Sequence, residues 1–222
     1  MKYITIDEYF DEIYCINLRS RPERLLSFKK NFHNLGTSRI TFFEAIDGST
    51  LDIGDWKLTR GALGCTLSHV AIYKDALEKK HSKILVLEDD AVLGRNFRKA
   101  LTKLIVTVKD EWDLLYLGGM HCMSPEKINS NVVKVKSSLT THAIAINCEC
   151  LPFVLAERDT SEIIDVTLAH LHQKLRVYAP TKFVAHQIKG YSDIKELYVD
   201  YNVSLFEKIF YKIKKTLTKR SI

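Results

Sequence analysis

Short, unbroken apolar runs alternate with stretches of helical periodicity through the first 120 or so residues. Ile13–Leu18 (IYCINL), Ile40–Ile46 (ITFFEAI), Ile84–Leu87 (ILVL) and Asp113–Leu117 (DLLYL) read as strands, the first and third buried on both faces. Between them, Pro22 to Leu35 predicts a helix stopped by Gly36, with Ser20 and Glu23 spaced as a capping box around Pro22. Leu63, Leu67, Val70, Ala71 and Leu77 keep helical spacing over Gly61–Lys80. Positions 97, 101, 104, 105 and 108 do so over Phe97–Val108. Asp52–Arg60 reads as irregular, and residues 120–131 as a polar, mobile loop. The second half is less regular. Val132–Val135, Ala143–Ile146, Arg176–Ala179 and Lys182–Val184 are expected strands, and Leu151–Ala156 and Glu162–Gln173 expected helices.

Strands alternating with helices imply an α/β domain with a largely parallel, Rossmann-type sheet flanked by helices. The expected organisation is one domain over residues 1–200 and a basic amphipathic tail over 201–222. No GxGxxG follows the first strand and no GxxxxGK[ST] occurs, so dinucleotide oxidoreductase and P-loop readings lose their main support.

The chemistry concentrates where the third strand ends. Glu88, Asp89 and Asp90 follow ILVL directly, and open α/β sheets bind ligands at the carboxyl ends of strands. Two unit charges about 4 Å apart repel by about 4 kcal/mol at an effective dielectric of about 20. A cation is the natural offset, and hard ions such as Mg²⁺ or Mn²⁺ take oxygen ligands. Asn17 with Arg19, Arg21 and Arg24, then Asp47-Gly48, then Gly118-Gly119, also follow predicted strands. Arginine suits bidentate phosphate contact and glycine allows close backbone approach. Together they describe a site for a phosphorylated ligand with a metal.

Charge sharpens this reading. Of the formal +6 on 222 residues, +5 lies in 203–222, where Lys208, Lys212, Lys214, Lys215, Lys219 and Arg220 stand against Glu207. The domain is therefore close to neutral and no nucleic-acid partner is expected. Val203, Phe206, Ile209, Phe210, Ile213 and Leu217 recur at helical spacing opposite those lysines, the pattern of an interfacial helix. An anionic membrane surface is thus an expected partner of residues 203–222. The five cysteines (Cys15, Cys65, Cys122, Cys148, Cys150) form no CxxC pair and the N-terminal residues lack a signal-type apolar stretch. Reduced thiols in a cytoplasmic protein are expected, at the inner face of the cytoplasmic membrane.

Tyr14–Arg24 (YCINLRSRPER) resembles the INLxxRxxR opening of glycosyltransferase family 25, the lipooligosaccharide-biosynthesis enzymes related to collagen β-galactosyltransferases. Phe43–Gly48 (FEAIDG), Leu58–His69 (LTRGALGCTLSH), Leu85–Asp90 (LVLEDD) and Trp112–Gly118 (WDLLYLG) resemble its further blocks in order. Asp165 and Gln187…Ser192-Asp193-Ile194 also fit, so the likeness runs over about residues 12–194. Ala62 departs from it, replacing the usual acidic residue before Gly64-Cys65. The resemblance implies a GT-A-like fold and inverting transfer of a sugar, commonly galactose, from a UDP-sugar donor to a glycan or glycolipid acceptor. It implies a divalent cation (Mn²⁺ or Mg²⁺) held by Asp90, with Glu88 and His186 as further ligands. Asp165 becomes the general base, with Asp159 and Glu162 as competitors. Asn17, Arg19, Arg24, Asp47, Gly48, Ser68, Glu88, Asp89, Gly118 and Gly119 become donor-binding residues. Ser68 and His69 are adjacent on a helix, diverge by about 100°, and so cannot pair as nucleophile and base. Transfer of glucose or N-acetylglucosamine, a non-catalytic sugar-nucleotide-binding domain, and a Mg²⁺-dependent phosphohydrolase are the alternatives.

Overall fold

The computed structural model describes residues 3–188, 190–192 and 197–199. The tail over 201–222 and Asp193-Ile194 lie outside the described residues. In chain order the elements are α1 (Ile6–Tyr9), β1 (Glu12–Asn17), α2 (Pro22–Asn31), β2 (Thr41–Glu44), α3 (Arg60–Glu78), β3 (Lys83–Glu88), β4 (Ala91–Leu93), α4 (Phe97–Val108), β5 (Leu114–Tyr116), β6 (Met120–His121) and β7 (Glu126–Lys127). They continue as β8 (Val132–Lys134), β9 (Ser138–Leu139), β10 (Ala143–Asn147), α5 (Leu151–Ala156), α6 (Ile164–Leu171), β11 (Val177–Pro180), β12 (Ala185–Gln187), β13 (Gly190–Ser192) and β14 (Leu197–Val199).

Eight strands form the central sheet in the order β2-β1-β3-β10-β5-β11-β8-β7. β1 is parallel to β2 and β3, and β11 to β5. β10 runs antiparallel between β3 and β5. This is the GT-A-like, Rossmann-type α/β architecture that the sequence implied, with a mixed sheet. Alternation along each strand feeds two cores. Tyr14, Ile16, Ile84 and Val86 face Val70, Ile72, Tyr73 of α3 and Leu168 of α6. Ile13, Cys15, Leu85 and Leu87 face Phe28 of α2 and Phe97, Leu101 and Leu104 of α4. Helices therefore cover both faces, which is why these strands read as continuous apolar runs.

Three expectations are corrected. Helix α2 begins at Pro22, so its N-cap is Arg21, which makes no side-chain capping bond. Glu23 is then the second helical residue, one short of capping-box register. Residues 120–131 are not a bare loop: β7 pairs with β8 at the edge of the main sheet, and β6 pairs with β9 in a separate two-stranded ladder. The last expected strand lies later than Lys182–Val184. β12 spans Ala185–Gln187 and pairs antiparallel with β4, so it flanks the acidic turn rather than joining the main sheet.

Gly36 ends the first helical unit at φ 79°, as expected. The second decisive glycine is Gly64. A Cβ there would lie 2.4 Å from the Ile46 carbonyl oxygen and 2.7 Å from the Gly48 nitrogen. Helix α3 can therefore rest directly on the turn that leaves β2. Ser68, one helical turn on, locks the seam: its Oγ donates to the Gly64 carbonyl at 2.7 Å and accepts from the Ile46 N–H at 2.8 Å.

Candidate functional site

The turn joining β3 to β4 carries the three carboxylates, and each has a different surrounding. Asp89 is buried, accepts a 2.6 Å bond from Asn17 Nδ2, and lies 3.7 Å from Arg24 Nη1. Asn17 also donates to the Arg21 carbonyl at 3.1 Å, so Asp89 is tied to the first strand and its following turn. Glu88 turns toward α3. Its Oε1 lies 3.2 Å from His69 Nε2 and accepts from Thr141 Oγ1 at 3.1 Å. Burial alone would raise the Glu88 pKa, but these bonds and the nearby His69 and His142 hold it below its ordinary value. Asp90 accepts from the Gln187 side-chain amide at 3.2 Å through Oδ2, and its backbone carbonyl accepts from the Ile188 N–H at 2.9 Å.

Asp90 Oδ1 is buried with no partner. Burial, with the charges of Glu88 and Asp89, pushes the Asp90 pKa up to about 8. This favours a proton or a cation on the Asp90 carboxylate near neutral pH. A divalent cation fits: the orphaned atom is a hard oxygen donor, and the surrounding negative charge is what such an ion offsets.

Asp165 lies in the first turn of α6. Its Oδ2 accepts from the Thr140 N–H at 3.2 Å, and its Oδ1 is buried without a partner. Burial and the Glu88 charge raise its pKa above the ordinary carboxylate value, against the Thr140 bond. Thr140 has φ 67°, the left-handed region that a β-branched residue rarely adopts. That conformation is what aims its N–H. The competing carboxylates are already engaged locally: Glu162 Oε2 lies 3.1 Å from His170 Nδ1, and Asp159 accepts from both the Ser161 N–H and Oγ. The charges of Glu88, Asp165 and Asp90, in that order after burial, all raise the Cys65 thiol pKa, and Glu88 brings a carboxylate oxygen within 4.8 Å of it.

The other expected residues divide. Arg19 and Asp47 line an open groove of about 670 Å³ with Ser20, Glu44, Ala45, Ile46 and Thr50. Arg19 is exposed and lies 4.0 Å from Glu44. Asp47 caps the following turn through the Ser49 N–H. Gly48 packs against Arg60: a Cβ there would fall 1.8 Å from its carbonyl oxygen. Ser68 is fully buried, and the bonds that lock the α3 seam take its Oγ. Gly118 leaves room for His142, whose Nε2 would lie 2.1 Å from an added Cβ, and Gly119 faces Ser138 Oγ. His186 is exposed on β12. Strand alternation turns it to the face opposite Gln187, whose amide reaches Asp90. The histidine drawn against the acidic turn is His69.

Thr140 and Thr141 complete the site without having been singled out for it, and Gln187, noted only for the family resemblance, reaches Asp90. No spacing rule marks the two threonines: they matter through a left-handed backbone and a cross-sheet hydroxyl bond. His69 had a visible signal, its place four residues after Cys65 and 19 before Glu88.

Among known proteins, residues 10–147 match the family model for glycosyltransferase family 25 (LPS biosynthesis protein). Procollagen galactosyltransferase 2 of Mus musculus is 31% identical over 149 residues, covering 57% of this chain and 24% of that protein. Inactive glycosyltransferase 25 family member 3 of Mus musculus is 30% identical over 140 residues, covering 54% and 24%. The chain thus spans about a quarter of the length of these relatives. Among solved structures, A197 from STIV is 14% identical with a TM-score of 0.50, covering 87% of this chain and 97% of that one, a likeness of fold alone.

Proposed function

The chain belongs to glycosyltransferase family 25, and on that premise we propose that it transfers galactose from UDP-galactose, with inversion, to a hydroxyl of a lipooligosaccharide or other surface glycan. One observation carries this reading. Asp90 Oδ1 and Asp165 Oδ1 are the two carboxylate oxygens buried without a partner among the described residues, and the charges of both act on the Cys65 thiol. The two are suited to different work. Asp90, crowded by Glu88 and Asp89, holds Mn²⁺ or Mg²⁺. The bound cation supplies Lewis-acid stabilisation of charge on the departing diphosphate. Asn17 and Arg24 keep the acidic turn in register through Asp89. Glu88, held by His69 and Thr141, maintains the negative field there. The groove beside Arg19 and Asp47 receives the nucleotide.

Asp165 is the general base. The acceptor oxygen bonds to the anomeric carbon on the face opposite the diphosphate, the bond to UDP breaks, and the hydroxyl proton passes to Asp165 Oδ1. The Thr140 N–H holds Oδ2 and leaves Oδ1 for this task. Galactose as the donor sugar draws on relatives named galactosyltransferases, and the surface glycan on the family's description. The sequence of residues 203–222 supports a cytoplasmic enzyme at the inner face of the membrane, beside lipid-linked acceptors.

UDP release and galactosyl product formation, measured with candidate lipooligosaccharide acceptors, test the reading. Loss of about 100-fold or more is expected in Asp165→Asn, the scale of general-base catalysis, and a comparable loss in Asp90→Ala, each with an unchanged thermal midpoint. Wild-type rates in both variants overturn the assignments. A non-catalytic sugar-nucleotide-binding role has one observation in its favour, the relatives named inactive. UDP binding without turnover on any acceptor would favour it.

A further inference from the structure

Cys65 and His69 stand four residues apart on one face of α3, and Glu88 ends the neighbouring strand. One ligand atom from each lies within 4.8 Å of the other two. We propose that Cys65, His69 and Glu88 form a second cation site, selective for a thiophilic divalent ion such as Zn²⁺ and distinct from the oxygen site at Asp90.

The chemistry of the set is the first argument. Thiolate, imidazole and carboxylate together suit zinc, whereas Mg²⁺ and Mn²⁺ favour oxygen-only surroundings. Geometry is the second. Nitrogen and oxygen ligands bound at about 2.0–2.1 Å in a tetrahedron stand roughly 3.3 Å apart; His69 Nε2 and Glu88 Oε1 are 3.2 Å apart. A sulfur at about 2.3 Å from zinc would sit roughly 3.6 Å from either, so Cys65 Sγ needs at most a movement of about an ångström, within reach of one rotamer adjustment. Access is the third: His69 is fully buried whereas Cys65 is partly exposed, so an ion would enter from the cysteine side. Thr141 Oγ1 lies 3.3 Å from His69 Nε2 and 3.1 Å from Glu88 Oε1, the same two ligand atoms, so an ion seated there would displace these hydroxyl contacts.

A plain structural His69–Glu88 pair leaves unexplained why a thiol lies within 4.8 Å of both an imidazole nitrogen and a negative carboxylate. A dication resolves the charge, since the thiol proton leaves to solvent as the metal–sulfur bond forms. Because Glu88 borders the Asp90 site, zinc seated here would withdraw its charge from the turn and antagonise binding of the oxygen-preferring ion. The site does not depend on the sugar-transfer reading.

Cobalt(II) titration of the full reduced chain tests it, because a bound thiolate gives a sulfur-to-cobalt charge-transfer band. The expected result is a band saturating at one equivalent, abolished in Cys65→Ser and displaced by Zn²⁺ but not by excess Mg²⁺. Competition with a chromophoric chelator should show Zn²⁺ binding weakened by about 100-fold or more in Cys65→Ser. Absence of the band, or its survival in Cys65→Ser, overturns the proposal. Should that variant fail to fold, alkylation of the wild type decides: Zn²⁺ must protect Cys65 from iodoacetamide, and equal labelling with and without Zn²⁺ overturns the site.

Discussion

Thr140 shows how one residue's backbone can set another's chemistry. Its left-handed φ of 67° costs on the order of 1–3 kcal/mol for a non-glycine residue, and the return is an N–H aimed at Asp165 Oδ2. Thr140→Gly keeps that N–H and removes the strain. Its rate is expected to stay within a few-fold of wild type, with stability unchanged or slightly raised after the entropy loss of glycine. A 100-fold loss of rate would show that the Thr140 side chain, not its backbone, matters. As the proposed general base, Asp165 would set the pH response. A base works only when deprotonated, and burial with the Glu88 charge raises its pKa. The rate therefore falls as pH falls through a value above 3.8. A kcat/KM profile flat down to pH 4 would contradict Asp165 as the base. Little of this was legible in the sequence. Asp165 was, through its neighbourhood; its free oxygen was not, because that depends on a turn 25 residues away.

At the scale of elements, the apolar runs were read correctly because strands covered on both faces leave an unbroken hydrophobic signature, and α4 was read at its observed ends. What failed was whatever depends on a partner. The short pairings of β6 and β7, and the place of β12 against β4, come from cross-strand bonds with distant residues, which local pattern does not encode. The antiparallel entry of β10 between β3 and β5 was hidden for the same reason. The seam between α3 and the turn after β2 is tighter than helix propensity prefers. Gly64→Ala would gain about 1 kcal/mol of propensity, yet its Cβ meets backbone at 2.4 and 2.7 Å. A net destabilisation of about 1–3 kcal/mol is expected from overpacking, read by urea unfolding; an unchanged or higher midpoint would mean the seam relaxes freely.

Across the whole molecule, two cores hold a mixed sheet whose strand ends and flanking turns gather Asn17, the acidic turn and the α6 carboxylate in one place. Chain topology makes this possible: parallel strands deliver their carboxyl ends to the same edge. The basic segment 203–222 carries most of the net charge. Flotation with anionic liposomes should retain the full chain and lose a chain lacking those residues; equal flotation would contradict the membrane proposal. In the proposed mechanism Asp90 anchors a cation that in turn anchors a nucleoside diphosphate, while Asp165 acts only in the chemical step. Calorimetric titration of UDP into the full chain, with and without Mn²⁺, tests this most directly. The predicted result is UDP binding strengthened by Mn²⁺ in the wild type and in Asp165→Asn, with the Mn²⁺ effect abolished in Asp90→Ala. UDP binding indifferent to Mn²⁺, or an undiminished Mn²⁺ effect in Asp90→Ala, would contradict it.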